Sequence, residues 1–111
     1  MAQPLAVTSD RLVFGNIVID AGTYSVSVDG RPVDLTFYEF ELLRQFCYEA
    51  NRIIDHDVLC DVLWSSKGQK ERRRLNVAVC RLRAKLTDSQ PYRLETVRGR
   101  GYGLLAPAAS I

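Results

Sequence analysis

The chain has 111 residues, 47% of them hydrophobic and 25% charged, which is the size and balance of one globular domain. No apolar run approaches the roughly 18 residues that cross a bilayer, and Met1-Ala2-Gln3-Pro4-Leu5-Ala6 has neither the basic start nor the long apolar core of a signal peptide; a soluble cytoplasmic protein is expected. The net charge of +2 conceals a polarity: residues 1–66 hold four basic side chains against ten acids, and residues 67–111 hold eleven against three. Such a distribution draws a polyanion to one part of a domain and repels it from the other.

Residues 1–11 show no period and are read as a flexible leader or linker remnant. From Leu12 to Val33, short β-rich runs alternate with turn residues, and Asp29-Gly30 is a strong two-residue hairpin signal. A small antiparallel sheet is expected. Thr36 followed three residues later by Glu39 forms a capping box at the start of a first helix, with Phe40, Leu43 and Cys47 on one face and an end near Ala50-Asn51. Asp55 then caps a second helix whose predicted apolar stripe is Val58, Leu59, Val62 and Leu63, closed by Trp64. Two short helices with a tight connection form a helix-turn-helix candidate.

After the polar loop Ser65–Lys70 comes the most informative segment. At about 100° per residue, Leu75, Val79, Leu82 and Leu86 share one narrow face of a third helix. The opposite face carries Arg73, Arg74, Val77, Cys80, Arg81 and Ala84, flanked by Asn76, Arg83 and Lys85, and no acid occurs from Arg72 to Lys85. An ordinary solvated face mixes both signs. Arginine pairs with phosphate or with guanine, asparagine pairs with adenine, and small apolar groups rest on thymine methyls, so this face suits a DNA groove. Tyr92–Val97 reads as a strand and Tyr102-Gly103-Leu104-Leu105 as its return, with Arg98-Gly99-Arg100-Gly101 as a tip whose arginines reach phosphates or a narrow minor groove. A nucleotide-binding glycine loop is the rival reading, but such loops open a helix and none follows here. Residues 106–111 are read as a C-terminal tail.

The inventory for chemistry is thin. Cys47, Cys60 and Cys80 are too few and too far apart for a disulfide framework or a C-x-x-C metal knuckle. Cys47 and Cys60 fall where helices need small core residues. His56 is the only histidine and no nucleophile–base set assembles around it, while the acids lie at turns and caps. No enzyme, cofactor or metal site is expected.

The element order, together with Leu35-Thr36 and Glu39-Phe40-Glu41-Leu42-Leu43, Val62-Leu63-Trp64, Arg81-Leu82-Arg83-Ala84-Lys85-Leu86 and Thr96-Val97-Arg98-Gly99-Arg100-Gly101-Tyr102, resembles the OmpR/PhoB-type effector domains of bacterial response regulators. The resemblance covers about residues 12–105. It implies an α+β winged helix-turn-helix domain with an N-terminal antiparallel sheet, three helices and a C-terminal β-hairpin wing. It further implies a transcription regulator of a two-component system, with the third helix in the major groove of promoter DNA and the wing on the minor groove. Together with the helix pattern it gives Arg72, Arg73, Arg74, Asn76, Val77, Ala78, Cys80, Arg81, Arg83, Thr96, Arg98 and Arg100 as DNA-binding residues. The resemblance also implies a head-to-tail homodimer on direct repeats, and RNA polymerase as a partner for the Ser65–Lys70 loop. Ala78 and Asn76 replace a frequent histidine and a frequent aspartate, so the target sequence does not transfer. Response regulators carry a receiver domain that eleven residues cannot form, so either an excised effector domain or a stand-alone regulator is expected. The alternative function is a winged-helix interaction module docking on RNA polymerase or a partner regulator.

Overall fold

A computed structural model describes residues 11–107. Four strands, β1 (Arg11–Phe14), β2 (Ile17–Asp20), β3 (Ser25–Val28) and β4 (Arg31–Val33), form an antiparallel meander in chain order. Alternation gives the sheet one inward face, because Ile17, Ile19, Val26 and Val28 are buried while their neighbours along each strand are not. Asp29 and Gly30 close the β3–β4 hairpin, both in the left-handed conformation a tight two-residue turn requires. Arg11, read from sequence as the last residue of the leader, pairs with Asp20 and belongs to β1. The rest of the leader, and the tail from residue 108, lie outside the described residues. Ala106, the first residue of the expected tail, is tied down by donating its N–H to Asn51 Oδ1 at 2.9 Å.

Helix α1 (Phe37–Tyr48) starts where the capping box places it: Thr36 Oγ1 accepts the Glu39 N–H, and Glu39 Oε1 accepts the Thr36 N–H. It buries Phe40, Leu42, Leu43, Phe46 and Cys47. The helix stops at Tyr48, slightly earlier than the sequence suggests, and the left-handed Asn51 then turns the chain so that its N–H reaches Leu104 O. A two-residue strand, β5 (Ile54–Asp55), follows. Sequence reading passes over it, because two residues are too few to show alternation. Asp55 serves twice, pairing with the C-terminal hairpin and capping α2 (His56–Trp64) through Oδ1 to the Asp57 N–H.

The predicted stripe of α2 needs correction. Leu59 and Cys60 are buried and Leu63 and Trp64 pack against the core, but Val58 is 52% and Val62 is 47% exposed. The inward arc of this short helix runs through Leu59, Cys60 and Leu63, which turns Val58 and Val62 outward; periodicity alone did not decide which edge of the stripe continued. Ser65, left-handed, closes α2, and α3 (Gln69–Lys85) takes in the last two residues of the expected loop, Gln69 and Lys70. Strands β6 (Arg93–Val97) and β7 (Gly101–Leu105) complete a second sheet in the order β5-β7-β6. The first sheet is joined to the segment after α3 by Asn16, which exchanges hydrogen bonds with Gln90 and Asp88, and by the edge-on contact of Phe14 with Tyr92.

Of the two glycines placed at the expected hairpin tip, Gly99 and Gly101, only the first lies there. Only Arg98-Gly99-Arg100 forms the loop, since Val97 pairs directly with Gly101, and Gly99 takes the positive φ of +76° that the loop needs. Gly101 lies in the strand and is buried against β5, where a Cβ would sit 1.8 Å from Ile54 O. Its lack of a side chain brings strand to strand rather than strand to ligand. Gly101→Ala should therefore destabilise the domain by about 2–3 kcal/mol, and Gly99→Ala by only about 1 kcal/mol. Urea denaturation of the two variants checks this order, and equal losses would contradict it.

Candidate nucleic-acid interface

Helix α3 has one apolar seam, with Leu75, Val79 and Leu82 fully buried and Leu86 just beyond it at 4% exposure. The seam settles which residues face outward. Arg72, Arg73, Arg74, Asn76, Val77, Cys80, Arg81 and Ala84 are exposed, as are Thr96, Arg98 and Arg100 in the hairpin. Ala78 is half-buried against the core, and Arg83 is half-buried beside β6. The helix ends also suit their charges, with Glu71 in the first turn and Arg83 and Lys85 in the last.

Several of the expected contact residues are held by the protein. Arg72 pairs with Asp57 of α2 at 3.2 Å, and Arg74 lies 4.5 Å above the Trp64 ring. Arg83 donates from Nε to Leu94 O at 3.0 Å and from Nη2 to Thr96 Oγ1 at 2.6 Å. By contrast, among the described residues no hydrogen bond or ion pair holds the side chains of Arg73, Arg81, Arg98 or Arg100. The face thus separates into cations that fix helix α3 to its surroundings and cations free to meet an anion. Sequence reading had no means to make this division, because Asp57, Trp64 and Thr96 are distant in the chain.

The hairpin is fastened to α3 on both sides. Arg83 grips β6, while the Tyr102 hydroxyl of β7 donates to Asn76 Oδ1 at 3.3 Å. The His56 N–H also donates to Arg100 O at 3.2 Å, so the base of the hairpin loop is tied to the start of α2. Helix and hairpin therefore present their free arginines as one surface. Beside it an open groove is lined by Asp57, Lys67, Gly68, Gln69, Arg72, Arg73, Asn76 and Val77.

Glu39 ties the other end of α3 to α1. Only 3% exposed, it completes the α1 capping box and accepts from Lys85 Nζ at 2.6 Å. Burial alone would raise its pKa. The Lys85 and Thr36 hydrogen bonds and the charges of Lys85 and Arg81 together outweigh burial and hold the carboxyl below the usual glutamate value. Of the cysteines, Cys47 and Cys60 are buried and Cys80 is exposed; burial pushes the Cys47 thiol up to about 12 and also raises that of Cys60. Among the described residues no group of three or more His, Cys, Asp or Glu side chains is placed to hold a metal ion, and no helix is long and apolar enough to cross a membrane.

Three helices, of which the third exposes arginines and is flanked by a hydrogen-bonded β-hairpin, define a winged helix-turn-helix domain, with β6–β7 as the wing. The family model described as "Transcriptional regulatory protein, C terminal" matches residues 30–104. The transcriptional regulatory protein RstA of Escherichia coli K12 is 38% identical over 100 residues, covering 88% of this chain and 41% of that protein. CseB of Streptomyces coelicolor is 37% identical over 101 residues, covering 91% and 42%. The Klebsiella pneumoniae RstA DNA-binding domain, solved in complex with the RstA box, superposes with a TM-score of 0.77 at 34% identity, covering 86% of this chain and 96% of that one. The DNA-binding domain of CpxR from E. coli superposes with a TM-score of 0.78 at 25% identity, covering 88% and 98%. The chain belongs to this family, the DNA-binding domains of OmpR/PhoB-type transcription regulators, and spans about two fifths of the length of the curated relatives it matches.

Because the Glu39 carboxyl titrates lower in the folded than in the unfolded chain, the unfolded chain takes up the proton first as pH falls. The stability it contributes is present above the usual glutamate value and is lost as pH drops through the folded value. Glu39→Gln should cost about 1–3 kcal/mol at neutral pH. It should also flatten the loss of stability between about pH 6 and about pH 3, read from urea midpoints; an unchanged acid slope would contradict the assignment.

Proposed function

We propose that this domain binds promoter DNA sequence-specifically with α3 in the major groove and the wing on the adjacent minor groove, without catalysing a reaction. The observation that carries this reading is the shared surface of four free arginines, Arg73, Arg81, Arg98 and Arg100, on two elements hydrogen-bonded to each other. In this arrangement Arg81, in the middle of the exposed face, reads base edges together with Val77 and Cys80, while Arg98 and Arg100 neutralise phosphates. The half-held Arg83 adds a phosphate contact through its remaining N–H groups, and Arg72 and Arg74 add charge from the rim. Ala78 is too recessed to be more than a minor contact, and Thr96 contributes by steering Arg83.

Residues 12–105 form the DNA-binding unit of a cytoplasmic regulator in this reading. Two copies sit head to tail on direct repeats, the acidic N-terminal part of one facing the basic part of the next, which the charge polarity of the chain supports. The Ser65–Lys70 segment and the exposed Val58 and Val62 are available to RNA polymerase or a partner regulator. Those two valines favour the alternative of a pure interaction module, which predicts no DNA affinity at moderate salt.

Selection of bound duplexes from a random library, followed by anisotropy titrations at several salt concentrations, tests the proposal. Arg81→Ala should lower discrimination between selected and scrambled duplexes by about 10-fold or more. Arg98→Ala and Arg100→Ala should weaken both duplexes alike and reduce the salt slope by about 1. Intact discrimination in Arg81→Ala would remove α3 as the reading helix, and absence of any DNA affinity would favour the interaction module.

A further inference from the structure

Arg72 and Arg74 are both held by α2, but in ways that leave them with different amounts to give a ligand. Arg72 donates Nε to a carboxylate, Asp57 Oδ1 at 3.2 Å, and that charge offsets its own. Arg74 lies over the face of the Trp64 ring, with Cζ 4.5 Å from the ring centre. A π face attracts the cation without neutralising it and gives its N–H groups no oxygen or nitrogen acceptor. Among the described residues Arg74 makes no ion pair or side-chain hydrogen bond, and the acid one turn before it, Glu71, accepts from Ser66 Oγ at 2.9 Å instead. Arg74 is therefore held in place with its charge and its donors intact.

The ring beneath it is fixed from behind. Trp64 packs against the core at the end of α2 and meets Tyr38 of α1 at 5.7 Å. Tyr38 meets Phe37 edge-on at 5.4 Å, Phe37 stacks with Tyr24 at 6.0 Å, and Tyr24 tilts onto the buried Phe40 at 4.4 Å. The Tyr24 hydroxyl in turn donates to Glu41. Aromatic contact thus passes unbroken from the core to Arg74. Between the start of α1 and α3 lies an open notch walled by Tyr38, Trp64 and Arg74, with Val77 and Arg81 on its α3 side. Drawn toward α2, Arg74 stands at the side of the exposed face rather than at its centre, where the wall of a DNA groove, which is phosphate, would pass.

We propose that Arg74 is a direct ligand of one DNA backbone phosphate at this notch, and that Trp64 is the positioning residue that holds Arg74 ready for it. A long side chain loses rotamer freedom when it meets a ligand, and Arg74 has lost much of it already. The proposal rests on the DNA-binding reading above and turns the rim charge of Arg74 into one contact at one phosphate.

The test takes the duplex selected by the wild-type domain, made with a neutral methylphosphonate at one backbone position at a time, and titrates it by anisotropy with the wild type, Arg74→Ala, Arg74→Lys and Trp64→Leu. One methylphosphonate should weaken the wild type and leave Arg74→Ala unaffected; that position is the phosphate Arg74 meets. On the unmodified duplex Arg74→Ala should reduce the salt slope by about 1. Arg74→Lys keeps the charge and therefore the slope, but its ammonium is more strongly hydrated and lacks the planar fork, so affinity should fall by about 2- to 5-fold. Trp64→Leu should lower affinity by a similar factor, and in that background Arg74→Lys should cost nothing further.

An Arg74→Ala domain that stays sensitive to every methylphosphonate the wild type senses, or that loses preference at a base position instead, would overturn the phosphate assignment. Arg74→Lys binding as tightly as the wild type, or costing the same with and without Trp64, would overturn the positioning role; a merely structural Trp64 gives the second of these results. The outcomes for the Arg74 variants alone are read with Trp64 in place, so they hold even where Trp64→Leu does not fold. A wild type that selects no duplex would overturn the DNA-binding reading, whereas a selected duplex with no phosphate peculiar to Arg74 overturns this proposal only.

Discussion

Burial of one narrow stripe on α3 is the constraint on which the rest of the molecule depends. Leu75, Val79, Leu82 and Leu86 pass from water into the core shared with α1, α2 and both sheets. At about 1.5–3 kcal/mol for each side chain, less whatever burial the unfolded chain retains, no other interaction of that helix stabilises it as much. A helix has one rotation about its axis to choose, and the stripe chooses it. Once the stripe is in, the arginines are out, whatever their own pairings contribute. Exposed ion pairs are screened by water and contribute too little to compete.

Rotation alone does not make a recognition surface, because a helix can still slide or tilt against its neighbours. Three polar attachments remove that freedom. Glu39 joins the end of α3 to the cap of α1 through Lys85, Arg83 joins it to β6, and Asn76 joins it to β7 through Tyr102. Each uses a residue from the basic face or its flank, so part of the charge that marks the helix in sequence is spent inside the domain. What remains free is a smaller set held at fixed separation on two elements, as a rigid partner with regularly spaced phosphates requires.

Legibility from sequence followed interaction range. The capping box at Thr36 and Glu39, the Asp29-Gly30 turn and the α3 stripe are local patterns, and each was visible because its physics is complete within a few residues. The exposed Val58 and Val62 show where period fails: a helix of nine residues offers two adjacent arcs of similar apolarity, and only its neighbours choose between them. Strand β5 and the true role of Gly101 were hidden because each is defined by the other across the fold. The division of arginines into held and free was hidden for the same reason, and so was the locking of the first sheet to Gln90 and Asp88 by Asn16.

The most direct measurement of the central claim is a map of backbone amide shifts in the nuclear magnetic resonance spectrum as a selected duplex is added to the domain. Large, saturating shifts are expected along the exposed face of α3, from Arg73 to Ala84, and at Arg98–Arg100, with β1–β4 and the Val58–Val62 face of α2 little changed at one-to-one stoichiometry. Shifts centred on the first sheet or on α2, with α3 and the wing tip unmoved, would contradict it.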